Sequence, residues 1–353
     1  MDKDKNNQQQ GKLFDIRDNI IPEDKRLFLP DWNNKPPQQQ NIITVQGKRV
    51  LTTGNLLSIV SKPGVGKTSL CEGAIASILN PVCDSLGFNV SLLGQRHKVL
   101  FIDTERTIHD TWNSWERTYT RAGIKKPTID KRVIFANFKA VNINERKKHV
   151  EKILADNWEI GLIIFDGAGD FIRDTNSIPE TAEFIDWINT FNPVISIVAT
   201  LHTNPRDGKP RGHLGSELCR RSESVFLVQK IENGRVREIT TSFEFGKVRN
   251  DDDEISYFYK YSEHDQMFIS TDHTPKKSIA VEKEAKYKDI TEQIFKGRIE
   301  CSTSHIITEI AKISEISDEA AKQSFYRNYT DKLLQKSGQG WRLQNSNKIV
   351  TNR

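Results

Sequence analysis

The stretch Ser61-Lys-Pro-Gly-Val-Gly-Lys-Thr68 lies between an apolar run at residues 55–60 and an alanine-rich run at residues 69–79. The first run predicts a buried strand and the second predicts a helix, so the glycines fall at a strand-to-helix turn. At such a turn glycine lets the backbone curve around an anion, and the helix N-terminus adds partial positive charge. The stretch therefore predicts a phosphate-binding loop, and a chance glycine turn is the less favoured interpretation.

The residue types in this predicted loop indicate a nucleoside triphosphate bound with Mg²⁺. Lys67 can reach the β- and γ-phosphates, and the Thr68 hydroxyl can ligate the metal. Ser61 stands where glycine is usual, and serine is small enough for the turn. The residues that we expect to contact the nucleotide, ATP, are Ser61, Pro63, Gly64, Val65, Gly66, Lys67, Thr68 and Ser69.

A second pattern, Gly161-Leu-Ile-Ile-Phe-Asp166, is an apolar run that ends in a carboxylate. A buried strand of this kind would hold Asp166 against the loop, where Asp166 supports Mg²⁺ through water or through Thr68. The pattern is weak alone, but here it follows a phosphate-binding loop by about a hundred residues. We therefore expect Thr68 and Asp166 to hold the metal.

Two further polar residues follow predicted strands. Glu105 comes after a strand at residues 99–102, and His202 comes after one at residues 193–200. Because ligands bind at the carboxyl ends of strands in doubly wound sheets, Glu105 is a candidate general base and His202 a candidate contact for the γ-phosphate. The alternatives are an exposed acid at a helix start and a loop histidine without a role.

Two basic segments lie beyond these strands. The irregular segment 205–213 carries Arg206, Lys209 and Arg211, which suit binding to a nucleic-acid backbone. Lys247 and Arg249 are two apart on a predicted strand, so they point the same way and can stabilise charge on the γ-phosphate of an adjacent subunit. We expect this late strand at the sheet edge, away from its own loop, which favours a head-to-tail ring.

Composition bounds the class of protein. The chain has 353 residues, of which 36% are hydrophobic and 28% charged, and these values fit a soluble protein with one or two domains. We expect no membrane span and no signal peptide, because no apolar run is long enough and the N-terminus is polar. The four cysteines are far apart in the sequence, which argues for the cytoplasm and against zinc or disulfides.

The C-terminal part is the basic part of the chain. The net charge is +5, and residues 276–353 carry 15 Lys and Arg against 10 Asp and Glu. We expect three helices here, the third at residues 317–334 with Lys322, Arg327 and Lys332, followed by a glycine turn and a strand. This arrangement resembles a winged helix that binds nucleic acid. A solvated lysine-rich surface, or a winged helix that docks protein, is the alternative.

The elements divide the chain into segments. Before the loop we expect a hairpin at residues 41–51, and after His202 a meander of strands at residues 224–231, 235–241, 255–261 and 267–269. The predicted divisions are a flexible arm at 1–40, an ATPase domain at 41–270, a linker at 271–284, a winged-helix domain at 285–345 and a tail at 346–353.

The motifs together resemble those of RecA-like ATPases, in particular the hexameric replicative helicases of the DnaB and plasmid RepA type. The resemblance covers roughly residues 40–270. The residues that carry it are Ser61–Ser69, Val99–Glu105, Leu162–Asp166, Thr200–Asn204, Arg211–Glu217 and the Lys247-Val-Arg249 pair. Ser61 and His202 depart from the usual family forms, and the family's helical N-terminal domain has no counterpart here.

The resemblance implies an α/β fold with a RecA-like core and a central, mostly parallel sheet. It also implies a ring-forming, hexameric homo-oligomer that hydrolyses ATP and acts as a replicative-type DNA helicase of a plasmid or mobile element. In that family Glu105 would activate water, and Lys247 and Arg249 would act in trans between subunits. The alternative is a DNA-bound ATPase that acts as a switch, a regulator or a helicase loader without unwinding DNA.

Overall fold

The chain forms two compact units, Met1–His273 and Thr274–Arg353. A computed structural model describes residues 35, 38–92, 94–125, 131–191, 194–205, 208–231, 234–249, 254–272, 279–330, 333–338 and 340–343, and for 279–285 the backbone alone. Most of the predicted arm, the predicted tail, Arg206 and Lys332 lie outside these residues.

The first unit is built on a large, mostly parallel sheet. Its strand order is β13-β12-β10-β9-β3-β8-β7-β5-β6, and β11 pairs with β9. The strands from β9 to β6 in this order run parallel to one another, while β10 to β13 pair antiparallel. The strands are β3 Leu56–Ser61, β5 Lys98–Asp103, β6 Val133–Asn137, β7 Ile160–Asp166, β8 Ser196–His202, β9 Ser224–Ile231, β10 Val236–Thr240, β11 Lys247–Val248, β12 Ser256–Ser262 and β13 Met267–Ser270.

Helices cover both faces of this sheet. They are α1 Lys67–Leu79, α2 Ile108–Arg121, α3 Ile143–Asp156, α4 Ile178–Asn189 and α5 Gly212–Arg221. Leu57 and Ile59 of β3 pack in one buried cluster with α1, while Leu56 and Val60 pack in a second cluster with α4 and α5. Every residue of β3 and β7 is buried, because strands of a parallel sheet are enclosed on both sides.

These observations confirm the predicted α/β class and the mostly parallel sheet. The hairpin at 41–51 is present as β1, Asn41–Val45, and β2, Lys48–Thr52, and the meander after His202 is present as β9, β10, β12 and β13. A strand that the sequence did not predict, β4 Phe88–Val90, pairs with β1, and within the described residues β2, β1 and β4 form a separate sheet. Three residues are too few to show a period in the sequence.

The described residues of the second unit form three helices and a pair of strands. They are α6 Ile279–Phe295, α7 Thr303–Ser314, α8 Asp318–Ser324, β14 Leu334–Ser337 and β15 Gly340–Leu343. Two predicted boundaries were wrong. Helix α6 begins inside the predicted linker, and α8 gives way to a wider helical turn at Phe325–Tyr329 instead of continuing to residue 334. Leu334 is instead the first residue of β14, which pairs with β15, and its apolar side chain is buried there.

Among the described residues, the structure contains no helix with the length and apolar composition needed to cross a bilayer.

A glycine on β7 tests the packing of the sheet. A Cβ added at Gly161 would run into the carbonyl oxygen of Arg96, whereas one added at Gly169 would meet only the Thr175 Cγ2 atom at 3.5 Å. We expect Gly161→Ala to lower the free energy of unfolding by about 1–3 kcal/mol, because the backbone must shift to relieve the overlap. Urea denaturation of both variants measures this, and an equal effect of Gly161→Ala and Gly169→Ala would contradict it.

Candidate active site

The glycine loop, residues 61–68, joins the end of β3 to the start of α1. Gly64 and Gly66 have φ angles of +67° and +112°, a region that other residues rarely adopt. Gly66 is the N-cap of α1, and as a glycine it offers no side chain to accept a hydrogen bond from the first turn of that helix. The N–H groups at this end of α1 are therefore available to an anion.

Lys67 turns back from the start of α1 into the loop. Its Nζ donates to Ser61 Oγ at 3.0 Å and lies 3.3 Å from His202 Nδ1. Burial lowers the pKa of Lys67, and the carboxylates of Asp166 and Glu105 act in the opposite direction. Ser61, which departs from the usual glycine, thus supplies the hydroxyl that holds this ammonium.

His202 links Lys67 to Glu105, because its other ring nitrogen, Nε2, lies 3.1 Å from Glu105 Oε1. Since Lys67 can only donate, we assign Nδ1 as the acceptor and Nε2–H as the donor to Glu105. The hydrogen bond from His202 is the main cause that lowers the pKa of Glu105. The Glu105 side chain is 47% exposed and carries a negative charge at neutral pH.

Asp166 is buried at the end of β7 and accepts two hydroxyl hydrogen bonds. Thr68 Oγ1 donates to its Oδ2 at 2.5 Å, and Thr200 Oγ1 donates to its Oδ1 at 3.0 Å. Burial raises the pKa of Asp166, while the bond from Thr68 and the charge of Arg106 lower it. Thr68 and Asp166 therefore present oxygen ligands beside the N-terminus of α1. This donor set fits Mg²⁺, which is usually held by one or two protein oxygens together with phosphates and water.

The sequence analysis did not assign the residues that surround this carboxylate. Asp103 ends β5 and pairs in register with Asp166, and its carboxylate accepts from Thr111 Oγ1 at 2.6 Å. Arg106 Nη2 lies 2.8 Å from Asp103 Oδ2 and 3.9 Å from Asp166 Oδ2. The sequence places Asp103 at the end of a strand, and this position could have indicated its pairing with Asp166. Nothing in the neighbouring sequence indicates the direction of the Arg106 side chain.

A second group of polar residues joins α1 to α2. Glu72 on α1 is buried and binds Arg117 Nη2 at 2.6 Å. The Ser114 hydroxyl donates to Glu72 and accepts from Arg106 Nη1, the latter at 2.6 Å. This network ties Arg106 to the helix that begins in the glycine loop.

A cavity of about 290 Å³ adjoins Glu105 and His202. Its walls include Asp170, Arg173 and Arg211, so groups of both charges face it. Arg211, one of the predicted nucleic-acid contacts, precedes α5, and its backbone N–H donates to His202 O at 2.9 Å. Arg211 is thus attached directly to the end of β8.

The other predicted nucleic-acid contacts that the structure describes, Lys209, Lys322 and Arg327, lie on the surface. Lys209 Nζ pairs with Glu244 Oε1 at 3.3 Å. Lys322 on α8 and Arg327 on the following turn are exposed, whereas Ala321, Phe325 and Tyr329 point into the core of the second unit.

Lys247 and Arg249 lie at the opposite end of the sheet strands from the glycine loop. β11 pairs with the first residues of β9, and Ser224 is level with Leu57, whereas the loop begins at Ser61. At about 3.3 Å per residue this separation is more than 10 Å along the strands. The predicted position of these residues on a strand at the sheet edge is wrong. The chain turns back after β10, and β11 pairs with β9, which is the neighbour of β3, so the separation from the loop runs along the strands and not across the sheet.

The two cations are held together by one carbonyl. Lys247 Nζ and Arg249 Nη2 both donate to Arg220 O, at 2.9 and 3.1 Å, in the last turn of α5. Burial, followed by the charge of Arg249, lowers the pKa of Lys247 from its ordinary 10.5 to about 8.

A comparison with models of known protein families found no match, and a search of curated proteins found no similar sequence.

The lowered pKa of Lys247 predicts unusual reactivity. Amine acylation requires the neutral form, so we expect Lys247 to react with an inflection near pH 8, well below that of an ordinary lysine. Mass spectrometry after brief acetylation over a range of pH measures this. Arg249→Gln removes a neighbouring positive charge and should move the inflection to higher pH, and no change in that variant would exclude the charge effect.

Proposed function

We propose that the chain hydrolyses ATP at the glycine loop. The observation that carries this proposal is the meeting of Lys67, Thr68, Glu105, Asp166 and His202 at one sheet edge, where hydrogen bonds join Lys67 to Glu105 through His202 and Thr68 to Asp166. Phosphoryl transfer to water requires a cation, a carboxylate beside that cation and a hydroxyl–carboxylate pair that can hold a metal.

The residues suggest how hydrolysis would proceed. The N–H groups of the loop and Lys67 would bind the β- and γ-phosphates. Glu105 would accept a proton from water as the water oxygen attacks the γ-phosphorus and the bond to the bridging oxygen of ADP breaks. His202 lies beside both Lys67 and Glu105 and would contact the γ-phosphate once Lys67 turns towards the nucleotide.

Thr68 and Asp166 would hold Mg²⁺, directly and through water. When bound, the metal neutralises charge that develops on the phosphate oxygens.

We propose further that this ATPase is a RecA-like motor that acts on DNA as a ring, as a replicative-type helicase does. The position of Lys247 and Arg249 supports a ring, because they lie at the far end of the strands from their own loop and are available to a neighbouring copy. The exposed Lys322 and Arg327 in a basic second unit, which we propose to be a winged helix, support nucleic acid as the partner.

Variants of the loop and of the proposed base test hydrolysis. Lys67→Ala should abolish turnover, and Glu105→Gln should keep ATP binding but slow turnover by about 10²–10⁴-fold, the usual contribution of a general base. Phosphate release with and without single-stranded DNA is the measurement. Lys62→Ala, which changes an exposed lysine of the same loop, is the matched control and should hydrolyse normally.

Turnover by Glu105→Gln at the wild-type rate would show that Glu105 is not the base. Hydrolysis that DNA stimulates, without strand separation in an unwinding assay, would favour the switch or loader over the helicase.

Mixing two inactive variants tests whether the site is shared between copies. Arg249→Ala should bind ATP normally and hydrolyse it about 10³-fold more slowly, because a finger supplied in trans can contribute that much. Mixed with Lys67→Ala, it should recover part of the activity, since one copy supplies an intact loop and the other an intact finger. ATP turnover as a function of the mixing ratio is the measurement.

Arg221→Ala is the matched control, because Arg221 is an exposed arginine on α5, one residue from the carbonyl that holds Lys247 and Arg249. It should hydrolyse ATP as the wild type does. No recovery at any ratio, with exchange of subunits demonstrated, would place Arg249 outside the neighbour's site.

A further inference from the structure

Arg106 extends across the point where β5 and β7 end. Its Nη2 lies between two buried carboxylates, 2.8 Å from Asp103 Oδ2 and 3.9 Å from Asp166 Oδ2. Its Nη1 donates to Ser114 Oγ at 2.6 Å, which fixes the guanidinium from the other side. The same Asp166 Oδ2 accepts from Thr68, so Arg106 stands next to the oxygens that would hold a metal.

Part of the hydrogen-bonding capacity of Arg106 is unused. Its Nε and Nη2 atoms are buried, and neither makes a hydrogen bond within the described part of the chain. The Nη2 contact with Asp103 is therefore an ion pair without hydrogen-bond alignment. Buried guanidinium donors without an acceptor are costly, and they point to an acceptor that arrives with a ligand.

The two carboxylates need a positive charge beside them. Asp103 and Asp166 are neighbours in register on adjacent strands, and both are buried. Two like charges this close, and away from water, destabilise the fold unless a cation is near them. Arg106 contributes that charge.

We propose that Arg106 is the resident counter-cation of the Asp103–Asp166 pair, and that it excludes a divalent metal until a nucleotide brings its own phosphates. This inference rests on the proposed nucleotide site. Without nucleotide, a metal held by Thr68 and Asp166 would lie near the positively charged guanidinium of Arg106. The two like charges would repel each other. Nucleotide phosphates would offset the added charge and offer acceptors to the unused Nε and Nη2 donors. Arg106 is therefore a positioning residue that makes metal entry conditional on nucleotide.

Metal binding without nucleotide tests this. Mn²⁺ alone, followed by electron paramagnetic resonance, is the probe, and the protein is the full chain. We expect Arg106→Gln to bind one Mn²⁺ at least about tenfold more tightly than the wild type, because the repelling charge is gone. Arg106→Lys keeps the charge and should behave as the wild type. The double variant Arg106→Gln with Asp166→Asn should lose the added site.

One control separates the charge of Arg106 from a general change in the charge of the protein. Arg221→Gln removes one positive charge on the exposed part of α5, and it should have no effect on Mn²⁺ binding. Thermal denaturation shows whether Arg106→Gln folds, and if it does not, Arg106→Met, which also removes the charge, takes its place with the same expected gain in Mn²⁺ affinity.

Equal Mn²⁺ affinity in Arg106→Gln and the wild type would overturn the inference, as would tight Mn²⁺ binding by the wild type alone. Binding of a fluorescent ATP analogue in EDTA, measured on the wild type, tests the proposed nucleotide site separately. Nucleotide binding with no effect of Arg106→Gln on Mn²⁺ would leave the proposed ATPase standing and remove only the role of Arg106.

Discussion

Parallel pairing of β3, β5, β7 and β8 is the constraint on which the candidate site depends. Parallel strands end at a common edge, so residues that follow them meet even when they are far apart in the chain. Thr68 and Asp166, whose side chains are hydrogen-bonded, are 98 residues apart. The buried apolar runs hold these strands in the middle of the sheet. The same packing therefore stabilises the fold and brings together the polar residues at the strand ends.

The polar edge is stable because its charges are arranged in opposed pairs and held by neutral donors. Asp166 accepts hydrogen bonds from Thr68 and Thr200, and Asp103 accepts one from Thr111 and forms an ion pair with Arg106. Glu72 lies farther along α1 and forms an ion pair with Arg117. These contacts tie α1 and α2 to the strand ends.

Much of this arrangement could be predicted from sequence patterns. A strand followed by a glycine loop, and an apolar run that ends in Asp, each indicate residues at the carboxyl ends of parallel strands. The sequence patterns predict that one edge of the sheet carries Lys67, Thr68, Glu105, Asp166 and His202. Side-chain direction was not accessible in the same way. Arg106 looked like any residue at a helix start, and the role of Ser61 as an acceptor for Lys67 became visible only when both ends of the loop were in place. The helix predicted at 317–334 failed because an apolar Leu334 fits a strand as well as a helix.

The position of β3 has a consequence for how the chain acquires its structure during synthesis. Both neighbours of β3, β8 and β9, come much later in the sequence, so the strand that carries the glycine loop has no partner while the middle of the chain is being made. Parallel pairing between such distant segments forms slowly, and the apolar residues of β3 stay uncovered until then. A chain that stops before β8 therefore exposes an unpaired apolar strand beside the glycine loop, which makes truncated products a target for chaperones and proteases.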